Sequence, residues 1–216
     1  MTDALMNDPA GRGFERADVD ALAGAMDGSI LHPSDEGYDE ARTIWNAMID
    51  RRPALIARCE STADVKRSVD FAREFGLLLS IHGGGHNIAG NAVCDDGLMI
   101  DLSPMNFVRV DTEAKTAAVG PGATLGDVDR ETLKHGLATP VGINSTTGIA
   151  GLTLGGGFGW LCRTLGLTAD NLIGAEVVTA NGEVQRVNEN EHADLFWALR
   201  GGSGNFGVVT EFNFKL

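Results

Sequence analysis

Three features of the chain predict an α+β fold. A strand, a helix and a second strand follow one another within about 30 residues after Pro53, the span of a strand–helix–strand unit. Short strand-like runs then succeed one another with tight turns, as antiparallel neighbours do. Further on, Asn181-Gly182 separates two alternating runs and marks a hairpin. A mostly antiparallel second half argues against a doubly wound parallel sheet.

Element by element, residues 1–16 read as a polar arm, and Asp18 to Met26 as a short helix with Gly28 near its end. Residues 32–50 mix charge with aromatics and fit no period. Ala54 to Ala57 is a short apolar strand. Ser61-Thr62-Ala63-Asp64 is the acidic variant of a capping box. The helix it opens sets Val65, Val69, Ala72 and Phe75 near one face and ends at Gly76. Leu77 to Ile81 is a buried-type strand. Leu98 to Leu102, Phe107 to Asp111 and Thr116 to Val119 are three more. Gly120-Pro121-Gly122 turns the chain, and Thr124 caps a helix that runs to about His135 and closes at Gly136. Ile173 to Ala180 and Glu183 to Val187 form the hairpin. Glu191 to Leu199 suits a helix, 201–207 a loop, and Val208 to Leu216 a final strand. No repeat and no linker divides residues 53–216.

The 216 residues suffice for one large core or two small ones, and 43% are apolar, an ordinary globular share. Lys and Arg number 17 against 30 Asp and Glu, a formal net charge of −13, which repels nucleic acid and anionic membrane surfaces. The 3 cysteines, Cys59, Cys94 and Cys162, are widely spaced, so neither a disulfide framework nor a zinc cage is expected. Cys162 beside Arg163 reads as a small buried residue rather than a nucleophile. The first 13 residues carry Asp3, Asp8 and Pro9 without a basic, apolar leader, so a cytoplasmic location is expected. Gly136 to Cys162 is free of charge and long enough to span a bilayer, but Pro140, Asn144 to Thr147 and many glycines make it a poor membrane helix.

Glycine stands out: 29 residues, about 13% of the chain, near twice the usual share. Glycine lets backbone approach a ligand closely and lets N–H groups converge on an anion. The turn Gly83-Gly84-Gly85 directly follows a strand; a pyrophosphate seat and a simple tight turn both account for it. The stretch 142–159 interleaves Gly142, Gly148, Gly151, Gly155, Gly156, Gly157 and Gly159 with Ser145, Thr146, Thr147, Ile149, Leu152 and Phe158. Hydroxyls, amides and apolar groups without charge suit a large, flat, partly polar cofactor. Gly202 to Gly207 matches G-x-G-x-x-G, but a helix precedes it and a strand follows, the reverse of a nicotinamide site. His82 and His86 flank the glycines and lack the helix and further ligands that a metal site needs, so no metal is expected. By residue type alone, His86 is a turn histidine.

Four ordered blocks carry a resemblance. They are Ile81-His82-Gly83-Gly84-Gly85-His86-Asn87-Ile88-Ala89-Gly90, Thr147 to Leu161 (TGIAGLTLGGGFGWL), Gly166 to Leu172 (GLTADNL) and Asp194 to Thr210 (DLFWALRGGSGNFGVVT). With their spacing, residues 53–216 resemble the flavin-binding region of the vanillyl-alcohol oxidase/PCMH-type FAD superfamily, in its berberine-bridge-enzyme-like branch. The resemblance implies an arm and short helices over 1–48 and a PCMH-type FAD-binding domain over 49–216. That domain would have a small βαβ-containing subdomain, 49–111, and a larger, mostly antiparallel one, 112–216. FAD would lie extended between them. It implies cofactor contacts from His82, Gly83, Gly84, Gly85, His86, Asn87 and Gly90, and from the turn at Pro121 and Gly122. Further contacts would come from Gly142, Asn144, Ser145, Thr147, Gly148, Gly151, Gly155, Gly156, Gly159, Trp160 and Leu161, and from Gly207, Val208 and Val209 at the adenosine end.

His86 falls where family members attach the flavin 8α carbon to histidine, a neutral imidazole nitrogen being the nucleophile. His82 stands where many members carry Arg, and Asn144 where bicovalent members carry cysteine, so a single link through His86 or a noncovalent flavin is implied. Thr147 falls near the position thought to gate oxygen. The implied activity is hydride transfer from a substrate C–H beside a hydroxyl or amine to flavin N5, with O2 as acceptor. Sugars, aromatic alcohols and secondary metabolites are all open as the small-molecule substrate. The family's C-terminal substrate region, which supplies the general base, is missing from this chain, and no catalytic residue can be named. The alternative is a non-catalytic FAD-binding module or fragment.

Overall fold

A computed structural model describes residues 13–216; residues 1–12 of the expected polar arm lie outside them. Helix α1 (Arg16–Ala25) opens where the Asp18 carboxylate accepts the Glu15 N–H at 2.8 Å. Strand β1 (Ser29–Leu31) and the single turn α2 (Tyr38–Ala41) are too short to show a period in sequence. Next come β2 (Leu55–Arg58), α3 (Thr62–Phe75), β3 (Leu79–His82) and β4 (Leu98–Asp101).

These strands form one sheet in the order β1-β2-β4-β3. β2 and β3 both run parallel to β4, and β1 is an antiparallel edge. The strand–helix–strand unit is therefore split: β4 inserts between the two strands that the sequence pairs. Leu55, Ala57, Leu98 and Ile100 join the cluster under α1 and α3. Ile56 and Met99 join Tyr38, Ile44, Ala92 and Val93 in another. Burial on both faces explains why these strands read as continuous apolar runs. Tyr38 is buried, and its hydroxyl donates to the Pro53 carbonyl at 2.6 Å, binding the 38–49 segment to the sheet. With β1, this layer draws on residues before position 49.

Ser61 caps α3 as its sequence requires, accepting the Asp64 N–H at 3.2 Å. The reciprocal half of the capping box is replaced. The fully buried Asp64 carboxylate accepts N–H groups from Asp27 (2.9 Å), Gly28 (3.0 Å) and Glu60 (3.0 Å), joining the α1–β1 link to the start of α3. Asp64→Asn leaves at least one of these part-buried donors facing an amide NH2, at a cost of about 1–2 kcal/mol. The urea midpoint at pH 7 should fall accordingly; an unchanged midpoint contradicts this role.

The second sheet contains β5 (Val108–Asp111), β6 (Thr116–Val119), β7 (Leu172–Val178), β8 (Val184–Asn188) and β9 (Val208–Lys215). Its order is β5-β6-β9-β7-β8, with every pair antiparallel. Helices α4 (Leu125–Leu133), α5 (Ile149–Leu154), α6 (Cys162–Leu165) and α7 (Ala193–Leu199) lie between its strands in sequence. Ala117, Val119, Ala175, Val177, Phe212 and Phe214 pack with Leu125 and Val128 of α4, Ile149 of α5 and Phe196 and Leu199 of α7. Helix α3 meets this sheet too: Val178 and Val208 share its cluster, and Thr62 Oγ1 donates to Glu176 Oε1 at 2.8 Å.

The β7–β8 hairpin is present, but Asn181-Gly182 is not a two-residue turn. Gly182 has φ +76° and Asn181 does not share a positive φ, which a type I′ turn requires of both residues. The loop instead spans 179–183, with Thr179 N–H donating to Glu183 O and Gly182 N–H to Thr179 O, both at 2.9 Å. Helix α5 arises within the uncharged stretch, where the sequence offered no element. No helix among the described residues is long and apolar enough to cross a membrane.

Candidate functional site

A cleft of about 890 Å³ opens where β3 ends. Its walls are the glycine turn 83–85, residues 86–89, Thr147 and Gly148, helix α5, and the segments 203–205 and 207–209. The two glycine-rich loops meet there backbone to backbone. A Cβ on Gly84 would lie 2.3 Å from Gly148 N, and one on Gly148 would lie 2.5 Å from Gly84 N. Among the described residues, no protein acceptor takes the N–H of Gly83, Gly84 or Gly85, so this rim offers free donors. Among the described residues, His86 is the only titratable side chain that lines the cleft.

Three side chains define the setting of His86. Its ring stacks on Trp45, with centroids 5.5 Å apart and planes 23° from parallel. Trp45 is held by its N–H to Gly85 O at 3.1 Å, and Asn46 Nδ2 donates to Ile88 O at 2.8 Å. Thr146 Oγ1 lies 3.2 Å from Nε2 and Thr147 Oγ1 lies 3.5 Å from Nδ1. Burial pushes the imidazole pKa below its ordinary value and so favours the neutral ring.

Of the residues expected to hold a cofactor, Gly83, Gly84, Gly85, His86, Asn87, Thr147, Gly148, Gly151, Gly207, Val208 and Val209 line this cleft. The others do not. Gly90 takes φ +78° and packs on Ile49, while Pro121 presents its carbonyl to Gly83 from behind. Gly122 fits against Leu102 O, and Gly159 against Val141 O beside Gly142, so chain-on-chain approach already explains those glycines. Asn144 and Ser145 sit on the exposed loop leading to Thr147, and Gly155, Gly156, Trp160 and Leu161 follow α5 outside the walls. Cys162 is half-buried and accepts the Gly159 N–H at 3.0 Å. Conversely, Ser203, Gly204 and Asn205, set aside as a reversed nicotinamide motif, do line the cleft. Trp45 and Thr146 were missed as site residues. The one signal for Trp45 was an aromatic residue in an aperiodic polar stretch.

His82 is not among the residues that line the cleft. Its ring turns from the cleft, under the turn, where Nε2 lies 2.7 Å from the Cβ position of Gly85 and Nδ1 lies 3.4 Å from Asp101 Oδ1. Asp101 also accepts from Ser103 N at 2.9 Å and from Arg58 Nε at 3.2 Å. Burial raises the Asp101 pKa, but the hydrogen bonds from His82 and Ser103 outweigh it and hold the carboxyl below its ordinary value. A folded-state pKa lower than the unfolded one gives stability that is present above about pH 4 and lost as pH falls through the lowered value. The urea-midpoint gap between the wild type and Asp101→Asn should therefore be widest near neutrality and close in acid. A gap constant from pH 7 to pH 3 contradicts the assignment.

Comparisons with known proteins agree with this geometry. A family model described as an FAD binding domain matches residues 53–188. The chain is 43% identical over 192 residues to (R)-6-hydroxynicotine oxidase of Paenarthrobacter nicotinovorans, covering 89% of this chain and 42% of that protein. A structure of BBE-like 1 of Physcomitrella patens superposes with a TM-score of 0.87 at 31% identity, covering 91% of this chain and 44% of that one. A glucooligosaccharide oxidase structure from Acremonium strictum, described as carrying a 6-S-cysteinyl, 8α-N1-histidyl FAD, gives 0.86 at 38% identity over 91% and 42% of the two chains. The chain thus spans less than half the length of these relatives. With its two sheets, glycine-lined cleft and matched residues, the chain belongs to the FAD-binding domain family of the vanillyl-alcohol oxidase/PCMH-type flavoproteins, within the berberine-bridge-enzyme-like group.

Proposed function

We propose that this chain is the flavin-holding part of an FAD-dependent oxidase acting on a small molecule with a C–H bond beside a hydroxyl or amine. The observation that carries the reading is one rim on which the free N–H groups of Gly83 to Gly85 adjoin the His86 ring. The residues fit the group: the donors suit a pyrophosphate, and the walls at Thr147, Gly148 and Gly151 are too lean in side chains to hinder a flat ring. Gly207 to Val209 offer backbone to the adenosine end. When bound, FAD supplies a hydride acceptor at N5 and a route for electrons to O2.

The chain's own residues bind and orient. The 83–85 amides hold negative charge, Trp45 and the two threonine hydroxyls fix the His86 ring, and β3 and α5 supply rigid edges. His86 is the residue to carry a covalent link. Asn144 has no thiol, so a second link is not formed there. Among the described residues the walls hold no carboxylate or phenol to act as general base, so proton removal from substrate falls to residues outside this cleft. The same fact supports the second reading: alone, this chain binds FAD without turnover.

The test is FAD uptake by the purified chain, followed by visible absorbance and then a panel of alcohols and amines. A flavin spectrum with saturable binding is expected. A chain that stays colourless after refolding with excess FAD overturns the proposal.

A further inference from the structure

Resting on the flavin reading above, we propose that Asn144 and Thr146 are positioning residues that fix the tautomer of His86, leaving Nδ1 as its bare, nucleophilic nitrogen. The argument begins at Asn144 Oδ1, which lies 3.2 Å from the Thr146 N–H. A backbone N–H can only donate, so the Asn144 atom facing it is the oxygen, not the amide nitrogen. The same oxygen lies 3.0 Å from Thr146 Oγ1 and can only accept, so the single hydroxyl proton of Thr146 points at Asn144. Thr146 Oγ1 then has only lone pairs to offer His86 Nε2 at 3.2 Å, and Nε2 must carry the proton. In a neutral imidazole Nδ1 is then bare.

A separate observation points the same way. Thr147, the neighbour of Nδ1, lines the cleft, whereas Thr146, the neighbour of Nε2, lies outside its walls and is exposed. The bare nitrogen is thus on the cofactor side and the protonated one on the solvent side. Covalent attachment forms a bond from Nδ1 to the 8α carbon, which gives up one hydrogen as a proton. The imidazole becomes cationic and sheds its Nε2 proton towards Thr146 and solvent. The electron pair from the broken C–H bond reduces the flavin by two electrons, and O2 takes them to form hydrogen peroxide. Through this sequence the Nε2–H bond to Thr146 becomes charge-assisted, so it strengthens as the bond at Nδ1 forms.

The experiment has two arms. In the first, the chain without flavin is labelled with 15N-histidine, His86 is assigned by the loss of its signals in His86→Gln, and the tautomer is read from long-range 1H–15N correlations. An Nε2–H tautomer is expected in the wild type and in Thr146→Ser, and a mixed population in Thr146→Val. In the second arm, attachment is followed with added FAD by the mass gain of the intact chain. Thr146→Val should slow it about tenfold, the ratio set by one lost hydrogen bond of this kind, and Thr146→Ser should restore it. An Nδ1–H tautomer in the wild type, or attachment in Thr146→Val as fast as in the wild type, overturns the proposal. A wild type that binds no FAD overturns the flavin reading and this role with it. A wild type that binds FAD without attaching it overturns this role alone.

Discussion

His86→Ala is expected to abolish acid-stable flavin. In the wild type loaded with FAD, yellow colour should survive acid precipitation and remain with the pellet; in the variant all of it should pass into the supernatant. Among the described residues no other wall side chain can substitute, because His86 is the only titratable one and Cys162 lies outside the walls. Noncovalent binding should persist in the variant, since the free amides of Gly83 to Gly85 are untouched. Truncating a half-buried ring on an aperiodic segment should cost about 1 kcal/mol of stability, so the effect separates cleanly from unfolding. Retention of flavin in the variant's pellet would mean that another residue makes the link.

Gly84→Ala should empty the cleft by a different route. Gly84 has no positive φ, so the backbone accepts alanine; the obstacle is space. The new methyl would sit 2.3 Å from Gly148 N and 2.5 Å from Gly148 Cα, and backbone cannot swing aside as a flexible side chain can. Either the 83–85 turn or the 147–148 segment must move, and both are cleft walls. The overpacking cost is about 3 kcal/mol, a fall in Tm of about 6–12 °C for a domain of this size. FAD affinity should drop at least tenfold, because the donors on the turn move with it. Gly151→Ala is the control. It lies in α5 with open space around its Cβ position and should leave Tm within about 1 °C or raise it. Equal behaviour of the two variants would remove the packing argument.

Most of the secondary structure was legible because it follows local rules. Ser61 and Thr124 cap helices where a hydroxyl precedes an acidic third position, and Gly76 takes the left-handed conformation that ends α3. What could not be read was pairing between distant residues. Nothing local tells β4 to lie between β2 and β3, because apolar residues of all three strands reach the same core cluster and any order would satisfy the pattern. Asp64 was assigned to its own helix cap, and its carboxylate serves residues 27 and 28 instead. The candidate site divides the same way. The glycine turn announced itself by composition, and His86 by its place in a family motif. His82 belonged to the same motif, yet a buried carboxylate about 19 residues away draws its ring to the far side of the turn. Trp45 reaches His86 only because Tyr38 and Ile44 fasten its segment to the first sheet, a tertiary cause with no signature at position 45.

The place of β9 in the second sheet has a consequence for biosynthesis. It is the last strand to leave the ribosome among those described, yet it sits at the middle of its sheet, hydrogen-bonded to β6 on one side and β7 on the other. Until it arrives, the β5–β6 ribbon and the β7–β8 hairpin are two separate pieces, each with a bare edge. Nascent chains halted before residue 208 therefore present two unpaired strand edges to any passing extended segment.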